Sequence, residues 1–431
     1  MSALSSPARA AGTTTEGRRP DLMGENTHLV LFTISLRIIN CLLVQTSFVP
    51  DEYWQSLEVA HHMVFNYGYL TWEWIEGLRG YSYPLVFAGI YKILQLLGQD
   101  GVQWLIWGPR LAQAVLSALA DVKLYSLVKR LENQELAKWV FFCQLCSWFT
   151  WYCCTRTLTN TMETVLTTFA LFHYPLEGSK MVNSFKYPTL VAVACIVRPT
   201  AIVPWLPLLF RHFWQEQRKL NLVLHRFVPV GMLSHKEFRF IYPVLPFCMV
   251  FCGYSVKSLK VWRRPAASFL LLSNVVLALY TGLVHQRGAL DVMAHVQGLC
   301  SAHPPGPSSA SVLVLMPCHS TPLYSHVHCR LPVRFLECPP DLTGKGNYVD
   351  EADLFYTDPL SWLKGEFKSD ALLPTHLIFF NVLEEELKGF LAPRGYERTT
   401  VIFHTHVPEG RTGSHIYIYE RKKREAHPSS G

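Results

Sequence analysis

Charge is scarce in this sequence. Of 431 residues only 16% are Asp, Glu, Lys or Arg, against about 25% in an ordinary soluble globule. Half of the residues are hydrophobic and mean hydropathy is positive, at +0.16. A soluble globule this poor in charge is hard to keep dispersed, and the same figures exclude a disordered chain, a collagen-like fibre and a disulfide-dense miniprotein. Functional signatures are missing too. There is no P-loop, no GxGxxG after a strand, no HExxH and no DxD. ATP hydrolysis, dinucleotide chemistry, zinc proteolysis and the usual metal-bound nucleotide-sugar site therefore lack support, and neither a metal nor a cofactor is expected. The net charge of +7 invites a nucleic-acid reading. The basic residues, however, lie in short clusters between apolar runs, without basic-aromatic patches, so no nucleic-acid partner is expected. No Asn-x-Ser/Thr sequon and no internal repeat is present.

What is abundant fits a membrane. Aromatics make up 13% of the chain, with 12 Trp, as suits rings along a membrane–water boundary. Residues 1–28, rich in Ser, Thr, Gly and Ala and carrying Arg9, Arg18 and Arg19, read as a disordered cytosolic tail. The first apolar stretch lacks a small-residue cleavage pattern, so it reads as a span and not as a signal peptide. A spanning helix needs about 20 apolar residues. Residues 29–48, 101–128, 139–155 and 265–284 qualify, with Arg37, Arg110 and Asp121 as charges inside the first two. Shorter candidates are 164–176, the Pro-broken 187–210, and 240–256, while 83–97 suits an interfacial or re-entrant helix.

Orientation follows from the loops. Lys129, Arg130 and Lys138, then Lys180 and Lys186, then Arg211, Arg218 and Lys219, then Lys257, Lys260, Arg263 and Arg264 form four basic clusters, which belong to the cytosol by the positive-inside tendency. Residues 49–100, 156–163 and everything after about 285 then fall on the lumenal side. From 285 onward polar loops alternate with strand-like runs at 311–317, 375–380, 399–407 and 415–420, with helical PLSWLKGEF and VLEEELKGFL between them. The expected architecture is a mostly α, polytopic membrane domain over 29–284 followed by a lumenal α/β domain over 285–431. Eight cysteines in apolar segments read as small buried side chains. Cys300, Cys318, Cys329 and Cys338 share the lumenal domain, where one or two disulfides are plausible and three pairings are open.

Two clusters stand out chemically. Asp51 and Glu52 follow directly on the first span, in FVPDEYWQ. Adjacent carboxylates at a membrane boundary are costly to desolvate and repel one another, which points to function unless both merely face water. The second is SHKEFRFIYP at 234–243, where His235, Lys236, Glu237 and Arg239 precede an apolar run. Lys as a point charge and Arg as a planar fork suit a phosphate; a solvated helix end with an internal ion pair is the plainer reading. Arg156, Arg198 and Arg287 also fall at lumenal helix ends, while Arg79, with Glu73 and Glu76, reads as an ordinary loop charge of the first lumenal segment.

FVPDEYWQ after the first span and HKEFRF later, with LRGYSYP, RTLTNTMET and the RPT at 198–200, resemble the endoplasmic-reticulum mannosyltransferases that use dolichyl-phosphate-mannose, in particular those of glycosylphosphatidylinositol (GPI) anchor synthesis. The resemblance covers nearly all of 29–431. It implies a multi-span GT-C fold in the endoplasmic-reticulum membrane with a lumenal active site, dolichyl-phosphate-mannose as donor, a GPI precursor glycolipid as acceptor, and an α1,2 linkage formed with inversion. Inversion needs one carboxylate to take the acceptor proton while the sugar passes through an oxocarbenium-like state. Asp51 is expected as that base, Glu52 as its alternate or as a positioning residue. His235, Lys236 and Arg239 are expected to hold phosphate, with Glu237 orienting them and Arg79, Arg156, Arg198 and Arg287 on the substrate-binding side.

One departure stands against the resemblance. Only 15 residues separate Lys219 from His235, and His225 and Arg226 interrupt them, too short and polar a stretch to cross about 30 Å. An internal deletion near Gly231 and Met232 is expected, and with it reduced or absent activity. The competing readings are a multi-span lipid or solute transporter and a noncatalytic subunit of a glycolipid-synthesising complex.

Overall fold

A computed structural model describes residues 27–49, 51–175, 185–208, 242–302, 310–342, 344 and 348–422. Most of the described chain is helical. The N-terminal two-thirds is built on α1 (Thr27–Leu43), α2 (Leu57–Phe65), α3 (Ser82–Leu96), α4 (Val102–Leu131), α5 (Gln134–Cys146), α6 (Trp148–Cys153), α7 (Thr159–His173), α8 (Lys186–Val197), α9 (Leu245–Ser258) and α10 (Arg263–Leu283). The long apolar runs explain the two longest: α4 spans 30 residues and α10 spans 21. At 1.5 Å rise per residue either is long enough for a bilayer core. α10 buries only Gly282 and exposes Phe269, Leu272 and Val276, an outward apolar surface that suits lipid and not water.

Sequence expectation and structure part in several places. The first helix starts at Thr27, inside the expected tail. The charge-free run 139–155 is two helices, because Ser147 leaves helical geometry at ψ 116° and its hydroxyl caps the next helix by accepting from Thr150 N. Cys248 and Cys252 are exposed on α9 and not buried. The charges inside the spans are paired: Arg37 on α1 reaches Asp121 on α4 at 2.7 Å with both side chains buried, and Gln144 donates to the other carboxylate oxygen at 2.9 Å. Arg110 donates to the carbonyls of Cys41 and Val44, the last residues of α1 and the start of the segment after it. α9 crosses α5 so closely that a Cβ on Gly253 would lie 2.6 Å from Val140 Cγ2. At one end of this bundle Arg263 pairs with Glu135 and Lys257 reaches Asn133, so two of the basic clusters meet.

The C-terminal part begins with α11 (Gly288–Ala302) and carries a five-stranded sheet. Its strands are β1 (Val312–Leu315), β2 (Val333–Phe335), β3 (His376–Phe380), β4 (Tyr396–Phe403) and β5 (His415–Arg421), in the order β2-β1-β3-β5-β4. β1 runs parallel to β2 and β3, and β5 is antiparallel to β3 and β4. All residues of β1 and β3 are buried, as expected of strands covered on both faces. One face packs on α11, the other on α12 (Glu351–Thr357), α13 (Pro359–Glu366) and α14 (Glu384–Leu391). Asp350 and Asp358 cap α12 and α13, and Pro359 fits the first turn of α13 because that position needs no N–H donor. Disulfides join Cys300 to Cys329 and Cys318 to Cys338.

Candidate active site

The segment that follows α1 is fixed by its backbone before any acid is placed. Gln45 N donates to Gly282 O at 2.6 Å, Thr46 Oγ1 to Thr281 O at 2.5 Å and Ser47 N to Gln286 O at 3.3 Å, all on or just past the end of α10. Phe48 N donates to the Tyr152 hydroxyl at 2.9 Å, and the two rings stack at 3.7 Å. Arg156 Nη1 donates to Thr46 O. Residues 44–48, 152–158 and 281–287 therefore converge on one spot, and Asp51 and Glu52 follow immediately.

The two neighbouring carboxylates have opposite surroundings. Glu52 is 1% exposed; it forms an ion pair with Arg156 and accepts from Thr157 N at 2.9 Å and Thr157 Oγ1 at 3.1 Å. Arg156 in turn lies over the Tyr152 ring and donates to the Tyr53 hydroxyl. Asp51 is 26% exposed, and its Oδ1 accepts from His319 Nδ1 at 3.1 Å. A buried carboxylate with an Arg and two further donors is neutralised in place and has no free face for a substrate. Asp51 differs from it in being within reach of solvent.

α2 and the turn before it clamp the C-terminal part. Trp54 Nε1 donates to Thr321 O at 2.9 Å. Glu58, fully buried, accepts from Leu323 N at 2.8 Å, Ser325 Oγ at 2.5 Å and Ser325 N at 3.2 Å. Burial pushes its carboxyl above the ordinary value in spite of those donors. His61 and His328 meet at 2.9 Å, and His326 lies edge-on to Tyr53 at 4.8 Å between ring centroids. Burial lowers both His61 and His326 to about 3.

The structure brings Glu52 and Arg156 together next to Asp51, while Arg287, whose neighbour Gln286 accepts from Ser47 N, pairs with Asp291 at 2.9 Å. Arg79 pairs with Glu73 and Arg198 with Glu163, each on other elements. His235, Lys236, Glu237 and Arg239 lie outside the described residues. Sequence reasoning missed His319, Glu58 and the His61–His328 contact. A signal existed for the first: PCHS directly follows the apolar run of β1, and the carboxyl ends of parallel strands are where sheets of this type present functional side chains.

A model of the Alg9-like mannosyltransferase family matches residues 28–234 and 222–328, and the chain belongs to that family. Among curated proteins it is similar to GPI alpha-1,2-mannosyltransferase 3 of Homo sapiens, 61% identical over 94% of this chain and 89% of that one. It is also similar to the protein of the same name from Danio rerio, 48% identical over 92% and 90%, and to GPI mannosyltransferase 3 of Drosophila melanogaster, 33% identical over 88% and 84%. Among solved structures, ArnT from Cupriavidus metallidurans in the apo state shares the fold, with a TM-score of 0.51 over 91% of this chain and 97% of that one at 9% identity. The chain is accordingly a glycosyltransferase and a membrane protein, with two described helices long and apolar enough to cross a bilayer.

Proposed function

We propose that the chain transfers mannose from dolichyl-phosphate-mannose to the GPI precursor, forming the α1,2 linkage of the third mannose on the lumenal side of the endoplasmic-reticulum membrane, with Asp51 as general base. The observation that supports the assignment of the base is the contrast in burial between the two acids: Glu52 is 1% exposed and held by Arg156 and Thr157, while Asp51 is 26% exposed. Relatives named GPI alpha-1,2-mannosyltransferase 3 support the acceptor and the linkage.

In this reaction the acceptor hydroxyl gives its proton to Asp51 as its oxygen bonds to the anomeric carbon from the face opposite the phosphate. The bond from that carbon to the phosphate oxygen breaks, and the electron pair leaves with dolichyl phosphate. Because the leaving group is already a phosphate, no strong general acid is needed; cations that meet the developing charge suffice. His235, Lys236 and Arg239 have the right chemistry for that role, with Glu237 orienting them. Arg156 serves through Glu52, fixing the turn that carries Asp51. A groove of about 570 Å³ between α4, α7 and α9, lined by Leu124, Val128, Leu171, Phe247, Val250 and Phe251, suits a polyprenyl tail.

The family match falls in two overlapping pieces that meet at residues 222–234. The alignment to the human relative runs over 493 positions, more than the 431 residues of this chain. Both support a missing internal segment near Gly231 and Met232, and turnover is expected to be slower than that of the human relative. The transporter and noncatalytic-subunit readings gain nothing from family membership. The test is transfer of radiolabelled mannose from the lipid donor in membranes of cells lacking the endogenous enzyme. Transfer should require Asp51, and an Asp51→Asn chain that transfers at the parental rate would remove Asp51 as base.

A further inference from the structure

The apolar run 101–128 also holds Lys123, and its surroundings differ from those of the other charges there. Asp121 pairs with Arg37, and Arg110 donates to carbonyls at the end of α1. Lys123, half-buried, forms neither an ion pair nor a hydrogen bond among the described residues; its Nζ rests 4.2 Å from the centre of the Phe172 ring. Arg130, two turns further along α4, lies over the same ring at 5.2 Å and donates to Phe172 O at 2.9 Å. It too has no carboxylate partner among the described residues. Beside Phe172, at the end of α7, Nδ1 of His173 is buried without a hydrogen-bond partner. The charges that reach its ring are those of Lys186, at the start of α8, Lys123 and Arg130, all of them positive. Parts of α4, α7 and α8 thus gather cations and an unused ring nitrogen around one aromatic side chain.

We infer that Lys123, Arg130 and His173 bind the phosphate of an anionic phospholipid headgroup, at the end of the bundle opposite the site of mannose transfer. An ionised side chain inside a spanning segment is costly and calls for a counter-charge, and like charges gathered in a half-buried place repel one another until an anion joins them. A phosphate suits the donors present: Lys as a point charge, Arg as a planar fork, and the histidine ring as a further N–H. Basic pockets between spanning helices recognise lipid headgroups in this way. Leu131 and Phe185, next in sequence to Arg130 and Lys186, expose apolar side chains, as suits a place where acyl chains run alongside. The phosphate held here is not that of the mannose donor. Arg110 contacts Val44 O in the segment that leads to Asp51, and Lys123 stands about 20 Å further along α4 at 1.5 Å rise per residue.

The test measures bound lipid and needs no turnover. The full chain is equilibrated with detergent-mixed vesicles of phosphatidylcholine and phosphatidylserine, purified as a monodisperse peak, and its retained lipids are quantified by mass spectrometry. The parent should retain phosphatidylserine in preference to phosphatidylcholine. Lys123→Gln/Arg130→Gln should reduce that preference by on the order of 10- to 30-fold. Lys129→Gln/Lys138→Gln removes the same charge from the same end of the bundle and should leave the preference in place. Equal loss in the two double variants would show net charge alone at work and overturns the site, as does a parental preference in Lys123→Gln/Arg130→Gln. Soluble glycerophosphoserine in excess should not displace the retained lipid. Displacement by it would mean that the cluster takes a free anion, and overturns the lipid assignment. His173→Phe keeps the ring but loses the nitrogen, and should weaken the preference with the peak unchanged; an undiminished preference removes His173 from the site.

Discussion

Arg156 and Glu52, 104 residues apart in sequence, form an ion pair that excludes solvent almost completely. Its position explains why Glu52 is held in the protein interior while its neighbour Asp51 stays partly exposed. Removing one partner of a buried pair leaves an unpaired charge and costs about 3–5 kcal/mol. Arg156→Met should therefore reduce the folded protein recovered from membranes severely, whereas Asp51→Asn should leave abundance unchanged. Quantitative immunoblotting after mild detergent extraction checks both, and normal recovery of Arg156→Met would count against the structural role.

Glu58 makes the joint between α2 and the C-terminal part pH-dependent. Burial raises its folded pKa above the 4.5 of an exposed glutamate, so the native state binds more protons than the unfolded one. Its contribution is full below 4.5 and is lost as pH rises through the raised folded value. Glu58→Gln keeps an oxygen where Leu323 N and Ser325 Oγ converge but cannot ionise. Melting temperature of the parent minus that of Glu58→Gln should fall as pH rises above 4.5. Glu58→Ala orphans two backbone N–H groups and should cost about 1–3 kcal/mol for each.

Histidines beside the same joint act in the opposite direction. His61 and His326 have folded values of about 3 against 6.5 when exposed, so the unfolded state binds more protons between those limits. Their contribution is full above pH 6.5 and is lost as pH falls toward 3. His326→Gln should show a shallower loss of melting temperature over that interval than the parent. An identical slope would mean that the ring is not buried neutral.

Gly253 allows α9 to approach α5. A Cβ there would stand 2.6 Å from Val140 Cγ2 and 2.9 Å from Val140 N, and the backbone nitrogen cannot move aside as a flexible side-chain tip can. Alanine is ordinarily the better helix former, but here overpacking of about 1–3 kcal/mol should win. Gly253→Ala should lower the temperature at which half of the protein aggregates. Val140→Ala in the same chain should restore only part of the loss, since the contact with the Val140 backbone remains.

Much of the fold was legible because it depends on local pattern. The runs that become α10 and the buried strands β1 and β3 declare themselves by apolar length alone. The run 139–155 misled because composition does not register a single capping serine, Ser147. The site was half legible. Asp51 and Glu52 stood out as adjacent acids at a span boundary, but nothing in their order distinguished them. That difference lies in Arg156 and Thr157, more than a hundred residues on. His319 carried only the weak signal of a strand end, and the charges inside the spans gave no hint that Arg37 and Asp121 pair with one another.

Composition and local order suffice for the lipid-suited character, the family, and the presence of carboxylates where the first apolar run ends, because each of these is a property of neighbouring residues. Only the packing of distant segments settles which carboxylate is buried against an arginine, which keeps contact with solvent, and that His319, just past the end of β1, reaches the latter. Burial and donor geometry separate two chemically similar acids, and both arise only when segments far apart in the chain pack against one another.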